Sequence, residues 1–360
     1  MSQSFSSTPQ PYLSRFTLQG HRLLDTSIKK QLKHIVRQLS QDHVQGELAA
    51  IWLGGSYGRG EGAVRRSENT ETVVGDYDIF LMYHQAAQAK ACEKKFPQWE
   101  HRLQQLIGFQ VDLKTPGTLE NLYAITDHFY WQNLCLCHQK LWVSPRLERQ
   151  QKQVSMTLHT LQPAYALDLL LQGVKRLLSG ECGGDVLLGF GDALLLEHKV
   201  YAHTLQGRLQ KMYTLQHELG IVWLRELFFA YQDAIRERLY PTEQSLHLSQ
   251  AKLNEVACTV IGAYFTGIEA EQLLTRNPKV FSSVVTNLKH KKERMALLGL
   301  CLLQPRLLPG VIRKSFLPRH VYQAMHKASP VQQKQGLTDY FLRTLKILYA
   351  NNAVYRMDNI

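Results

Sequence analysis

Long uncharged apolar runs are missing from this chain of 360 residues, which excludes a helix able to cross the core of a bilayer. The first twenty residues, MSQSFSSTPQPYLSRFTLQG, have no basic start followed by an apolar stretch. They read as a Ser/Pro-rich lead-in over 1–24, so a cytoplasmic protein with no membrane partner is expected. Cysteine is scarce: six residues without framework spacing predict reduced thiols, and the one local cluster, Cys135-Leu136-Cys137-His138, has no second Cys/His pair at zinc-site spacing. The glycine cluster near residue 55 lacks the Gly-Lys-Ser/Thr ending of a phosphate loop. It also lacks Gly-x-Gly-x-x-Gly spacing with a ribose-binding acid about 20 residues on. His84, His101, His128, His138 and His198 are scattered, with no Ser or Cys and Asp partner in sequence, which argues against a nucleophile triad.

What is present begins with charge. The formal net charge of +12 is uneven, with 17 Lys+Arg against 14 Asp+Glu in residues 1–150 and 25 against 16 in residues 151–360. A basic second part favours a polyanionic partner, with RNA or an acidic protein as candidates. The basic run Lys289-His290-Lys291-Lys292-Glu293-Arg294 has few aromatics near it and reads as a solvated helix face rather than a stacking surface.

Hydrophobic spacing divides the chain. Residues 26–40 carry Ile28, Leu32, Ile35, Val36 and Leu39 at helical intervals. Ala49 to Leu53 is a short apolar run ended by Gly54-Gly55, which predicts a buried strand stopping at a tight turn. A glycine-rich charged loop, a strand to Tyr83, a helical stretch over about 85–106 and a strand from Phe109 to Leu113 complete the first part. From about residue 155, Leu-rich helical periodicity over 164–179, 192–217, 221–239 and 247–265 predicts an all-helical second part. The expectation is therefore α+β: a small mixed-sheet domain over 25–150, then a helical domain over 151–360, with the break between Val143 and Pro163.

The segment that carries chemistry is IWLGGSYGRGEGAVRRSENTETVVGDYDIFLMY, residues 51–83. Residues two apart in a strand share a face, so Asp76 and Asp78 project together, with Phe80 and Met82 continuing that face. Two carboxylates about 4 Å apart repel by roughly 4 kcal/mol at an effective dielectric of about 20, so the pair calls for a proton or a cation. Magnesium suits an all-carboxylate site, with manganese as the alternative. In Phe109-Gln110-Val111-Asp112-Leu113-Lys114 the apolar residues alternate away from Asp112, which offers a third acid from the next strand. Metal held by three carboxylates would activate a hydroxyl and stabilise a departing pyrophosphate. Gly54, Gly55 and Ser56 suit close approach of phosphate to backbone N–H groups, or simply a tight turn.

Gly55-Ser56 after an apolar strand, then Asp76-x-Asp78 opening the next strand and a later strand acid, resembles the polymerase-beta-type nucleotidyltransferase superfamily over residues 26–115. The run Gly54-Gly55-Ser56-Tyr57-Gly58-Arg59-Gly60-Glu61 is similar to the glycine motif of bacterial protein uridylyltransferases. The resemblance implies magnesium-dependent transfer of a nucleoside monophosphate from a nucleoside triphosphate such as ATP. Asp76, Asp78 and Asp112 would be metal ligands and catalytic residues, and Gly55, Ser56 and Arg59 nucleotide contacts. Lys175 and Lys199, after the boundary, are the candidates to reach the triphosphate from the helical part. Two features depart from the pattern: Gly75 stands where the family often has serine, and the connection from Ser56 to Asp76 is long and charged, which predicts a flexible loop over the site. The alternative is a nucleotide-binding regulatory or interaction module without turnover.

Overall fold

Ile28, Leu32, Ile35 and Leu39 recur every three or four residues and are all buried, so α1 (Arg22–Asp42) lays one apolar stripe on the body of the first part. The computed structural model describes residues 15–18, 22–44, 46–67, 70–124, 133–135, 137–147, 164–181, 183–241, 248–266, 290–303, 317–326 and 328–350. The chain forms two compact units: residues 1–160 with 203–205 and 236–245, and the remainder. Among the described residues, no helix is long and apolar enough to cross a membrane.

In the first unit, α1 leads into β1 (Leu48–Leu53), buried along its whole length. There follow a single-turn helix α2 (Gly55–Gly58), the strands β2 (Ala63–Arg66) and β3 (Glu71–Val74), and β4 (Asp76–Tyr83). Next come α3 (Ala86–Glu93), α4 (Phe96–Ile107), β5 (Gln110–Thr118), α5 (Leu119–Ala124) and β6 (Gln139–Val143). The sheet order is β5-β4-β1-β6, with β4 parallel to β5 and β1 antiparallel to both β4 and β6. This mixed sheet beside many helices is the α+β class. Parallel neighbours need a crossover, and α3 and α4 provide the one between β4 and β5.

Alternation sorts the strand residues onto two faces. Ile51, Leu53, Tyr77, Ile79, Leu81, Val111 and Leu113 join the α1 stripe and Phe96, Trp99 and Leu103 of α4 in one core. Each such side chain, fully buried, contributes roughly 2 kcal/mol through removal from water. The Tyr77 hydroxyl donates to Gln31 Oε1 at 2.7 Å and Gln31 Nε2 donates to the Ile107 carbonyl at 3.1 Å, which ties strand to both helices. Trp52, Phe80 and Met82, on the opposite face, are buried as well. At the sheet edge, the Leu113 N–H of β5 donates to Glu100 Oε1 of α4 at 2.7 Å, so that backbone donor is not left open to a further strand.

The structure differs from the expectations in several places. The helical stretch over 85–106 is two helices, broken at Lys94-Lys95, with Pro97 in the first turn of α4, where its missing N–H costs nothing. The connection from Ser56 to Asp76, expected as a flexible loop, carries two paired strands among its described residues: β2 and β3 pair antiparallel from Ala63↔Val74 to Arg66↔Glu71, and Arg66 Nε meets Glu71 Oε1 at 2.9 Å. The Tyr57 hydroxyl lies 3.2 Å from the Ala63 carbonyl and 3.0 Å from that of Val74, so it holds the strand pair at its base. Strand β6 was not anticipated; it pairs with β1 from Ala50↔Val143 to Leu53↔Gln139.

The second unit is helical among its described residues. The helices are α6 (Ala164–Leu178), α7 (Gly184–Glu197), α8 (Leu205–Leu219), α9 (Val222–Leu239), α10 (Gln250–Thr266), α11 (Lys291–Leu303), α12 (Arg319–His326) and α13 (Pro330–Ala350), with Leu205 of α8 and residues 236–239 of α9 counted in the first unit. The periodicity expected over 192–217 is divided between α7 and α8, because the chain turns at Lys199, a non-glycine residue at φ 58°. Val186 to Leu196 of α7 are buried apart from Gly189, as in a helix surrounded by others. A buried polar group joins three helices: Asp192 accepts from the Tyr231 hydroxyl at 2.5 Å and from Arg208 Nη1 at 2.8 Å. The Arg208 guanidinium also lies 4.7 Å from the Tyr201 ring centroid.

Candidate metal centre

Asp76 and Asp78 stand at the start of β4 with Tyr77 turned into the core between them, so both carboxylates emerge on the face opposite α1. Parallel register sets Asp112 of β5 directly beside Asp78. One ligand oxygen from each of Asp76, Asp78 and Asp112 lies within 4.8 Å of the other two, and all three residues are half-buried. Among the described residues, no other cluster of three or more His, Cys, Asp or Glu is suited to hold a metal ion. Alternation puts Asp112 on the face away from Val111 and Leu113, and the β4–β5 register brings it to Asp76 and Asp78.

Three acids at this distance disfavour full ionisation. Burial, then the Asp78 charge, then a hydrogen bond with Asp112 and its charge raise the Asp76 carboxyl to about 7, with Lys114 opposing. Lys114 was missed in the sequence reading as a site residue. Its ammonium pairs with Asp78 Oδ1, and side-chain exposures of 11% for Lys114 and 19% for Asp78 place the pair largely out of water. The signal was present: in β5, residues 110, 112 and 114 share a face, so Asp112 is followed by Lys114 and preceded by Gln110, whose Nε2 donates to Asp112 Oδ1 at 3.2 Å.

The glycine segment abuts this cluster. The Gly54 N–H donates to the Asp78 carbonyl at 2.9 Å, continuing the pairing of β1 with β4 into the turn. Gly55 then adopts φ +60° and lies against the Asp78 carboxylate, where a Cβ would stand 1.9 Å from Oδ2. Ser56 follows, half-buried, in the single turn of α2. Arg59 caps that turn, and its Nε pairs with Glu61 Oε2 at 3.3 Å. Glu61 is buried, and the same oxygen accepts the Leu205 N–H at 2.9 Å. Lys175 lies on α6 and Lys199 follows the C-cap His198 of α7; both belong to the second unit. His128 and Lys289 lie outside the described residues.

The donor set fits a hard divalent cation, since it consists of carboxylate oxygens with mutual repulsion to relieve. Cys135 and His138 are packed in the interior instead. His138 stacks on Trp52 with ring centroids 3.7 Å apart, its Nδ1 lies 2.9 Å from the Leu134 carbonyl, and burial lowers its pKa to about 4. Burial raises the Cys135 thiol to about 12, which keeps it protonated.

Comparison of the chain with protein-family models, with curated proteins and with solved structures finds no match.

Proposed function

We propose that the first unit is a nucleotidyltransferase domain of the polymerase-beta type. It transfers a nucleoside monophosphate from a nucleoside triphosphate to a hydroxyl acceptor and releases pyrophosphate, with Mg²⁺ or Mn²⁺ as cofactor. The observation that carries this reading is Asp112 in register with Asp78, with Asp76 and Gly55 at the same strand mouth. Asp76, Asp78 and Asp112 would hold the cation, which supplies Lewis-acid stabilisation of phosphate charge and acidifies the acceptor hydroxyl.

The remaining chemistry falls to the chain's own groups. Gly55 and Ser56 let the phosphates approach the backbone, and Arg59 offers a guanidinium from the same turn. Asp112 orients the acceptor hydroxyl. The acceptor oxygen bonds to the α-phosphorus as the bridge to the β-phosphate breaks, the electron pair leaves with pyrophosphate, and the hydroxyl proton passes to a carboxylate. The charge excess of residues 151–360 suits RNA or an acidic protein as acceptor.

The test incubates the full chain with each labelled nucleoside triphosphate and Mg²⁺, Mn²⁺ or chelator, with and without cell extract. Label transferred to RNA, protein or a small molecule only with metal is the expected result. The second reading, a nucleotide-binding module without turnover, is favoured by Lys114 already neutralising Asp78. Metal-dependent triphosphate binding with no transfer to any acceptor would select it.

A further inference from the structure

Asp78 is ion-paired with a cation of the chain itself, Lys114, which also acts on the Asp76 carboxyl. Lys114 reaches it from β5, and the two backbones are held by pairing of Asp78 with Asp112 and of Phe80 with Lys114. An ammonium that is 11% exposed needs an anionic partner, because a buried charge left alone is far costlier than a paired one. A divalent cation drawn to the three carboxylates would compete with that ammonium for Asp78 and repel it at short range. Displaced from Asp78, Lys114 still lies at the cluster, where the next strong anion to arrive is a phosphate chain.

Resting on the proposed nucleotidyltransferase reading, we infer that Lys114 is an exchangeable counter-ion: it neutralises Asp78 while the site holds no divalent cation and pairs with the triphosphate once a cation has taken Asp78. Two consequences follow. Cation binding alone is weakened, since it displaces an internal ion pair. Cation and triphosphate then bind cooperatively, and the coupling is reciprocal because each raises the affinity of the other by the same factor. This arrangement disfavours a cation-filled site without nucleotide.

The experiment titrates Mn²⁺ and Mg²⁺ calorimetrically into the full chain, with and without a non-hydrolysable triphosphate, for the natural protein and for Lys114→Met, which keeps the apolar stem and removes the charge. The expected result is a cation affinity about tenfold higher in Lys114→Met without nucleotide, within the usual range of coupling between sites, and loss of the enhancement by triphosphate. Equal or weaker cation binding by the variant, with the natural protein binding normally, overturns the inference and leaves the metal-site reading standing. Absence of cation binding in both proteins overturns both.

A measurement on the natural protein covers the case in which the variant does not fold: amine labelling of Lys114, mapped by mass spectrometry. Labelling should be slow with chelator, several-fold faster with Mg²⁺ alone, and slow again with Mg²⁺ and triphosphate. A rate that ignores Mg²⁺ shows a fixed structural pair and overturns the inference.

Discussion

Gly55 and Asp78 are in such close contact that a methyl group at residue 55 would stand 1.9 Å from the Asp78 carboxylate oxygen, and Gly55 also occupies the left-handed backbone region at φ +60°. Two requirements for glycine therefore coincide at one position. They separate experimentally through Gly46, which has φ +88° and, among the described residues beyond its chain neighbours, no atom within 4 Å of where its Cβ would be.

Gly46→Ala should cost about 1–2 kcal/mol, the penalty of the left-handed region, with cation binding unchanged. Gly55→Ala should cost more than this and abolish Mn²⁺ binding, because the Asp78 carboxylate must move. Urea unfolding and calorimetry on both variants measure the difference. Equal effects of the two on cation binding would detach Gly55 from the site.

Asp76→Asn should stabilise the cation-free protein near neutral pH. The Asp76 carboxyl is raised from 3.8 to about 7, so its protonated form is favoured by the fold. Its contribution is fully present below about pH 4 and is lost as pH rises towards 7. Melting in chelator across this range should show the variant gaining on the natural protein as pH rises, by a few degrees at pH 7.5. Mg²⁺ should close that gap by stabilising only the natural protein.

His138 works in the opposite sense over the same range, so it must be measured by difference. Its pKa falls from 6.5 to about 4 in the fold, so the unfolded chain binds the proton more readily. Stability from this group is present above about pH 6.5 and is lost as pH falls towards 4. His138→Phe keeps a ring on Trp52 and should flatten the acid limb of the stability curve, at a cost near neutral pH of about 1 kcal/mol for the lost bond to the Leu134 carbonyl. An acid limb identical to that of the natural protein would assign the titration elsewhere.

Arg208→Met should destabilise by about 3–5 kcal/mol, since it leaves Asp192 charged and only 6% exposed. Asp192→Asn combined with Arg208→Met should cost less than the two changes summed, because the second removes a charge whose ion-pair partner the first had already neutralised. A double-variant cycle by urea unfolding gives the coupling. Strict additivity would show that the pair contributes nothing as a pair.

Much of the site was legible because strand geometry is local. Alternation with period two places Asp76 with Asp78, and Asp112 opposite Val111 and Leu113, whatever the strands pair with. The tight turn at Gly54-Gly55 and the amphipathic stripe of α1 are legible for the same reason: they depend on dihedral angles and spacing within a few residues. By contrast, nothing local marks Gln139–Val143 as the partner of β1, or reveals that β2 and β3 pair with each other beneath the Tyr57 hydroxyl.

The sequence by itself determined the faces: which side chains are apolar, which acids point the same way, and where the helical half begins. Only the tertiary structure decided the neighbours. That Asp112 lies beside Asp78, that Lys114 closes on that same carboxylate, and that Asp192 meets Arg208 and Tyr231 are matters of register and packing between segments 16 to 39 residues apart. A shift of one residue between β4 and β5 would turn Asp112 to the other face of the sheet while leaving every local pattern intact. The burial of Val111 and Leu113 in the core opposes that shift, so the apolar face sets where the acids meet.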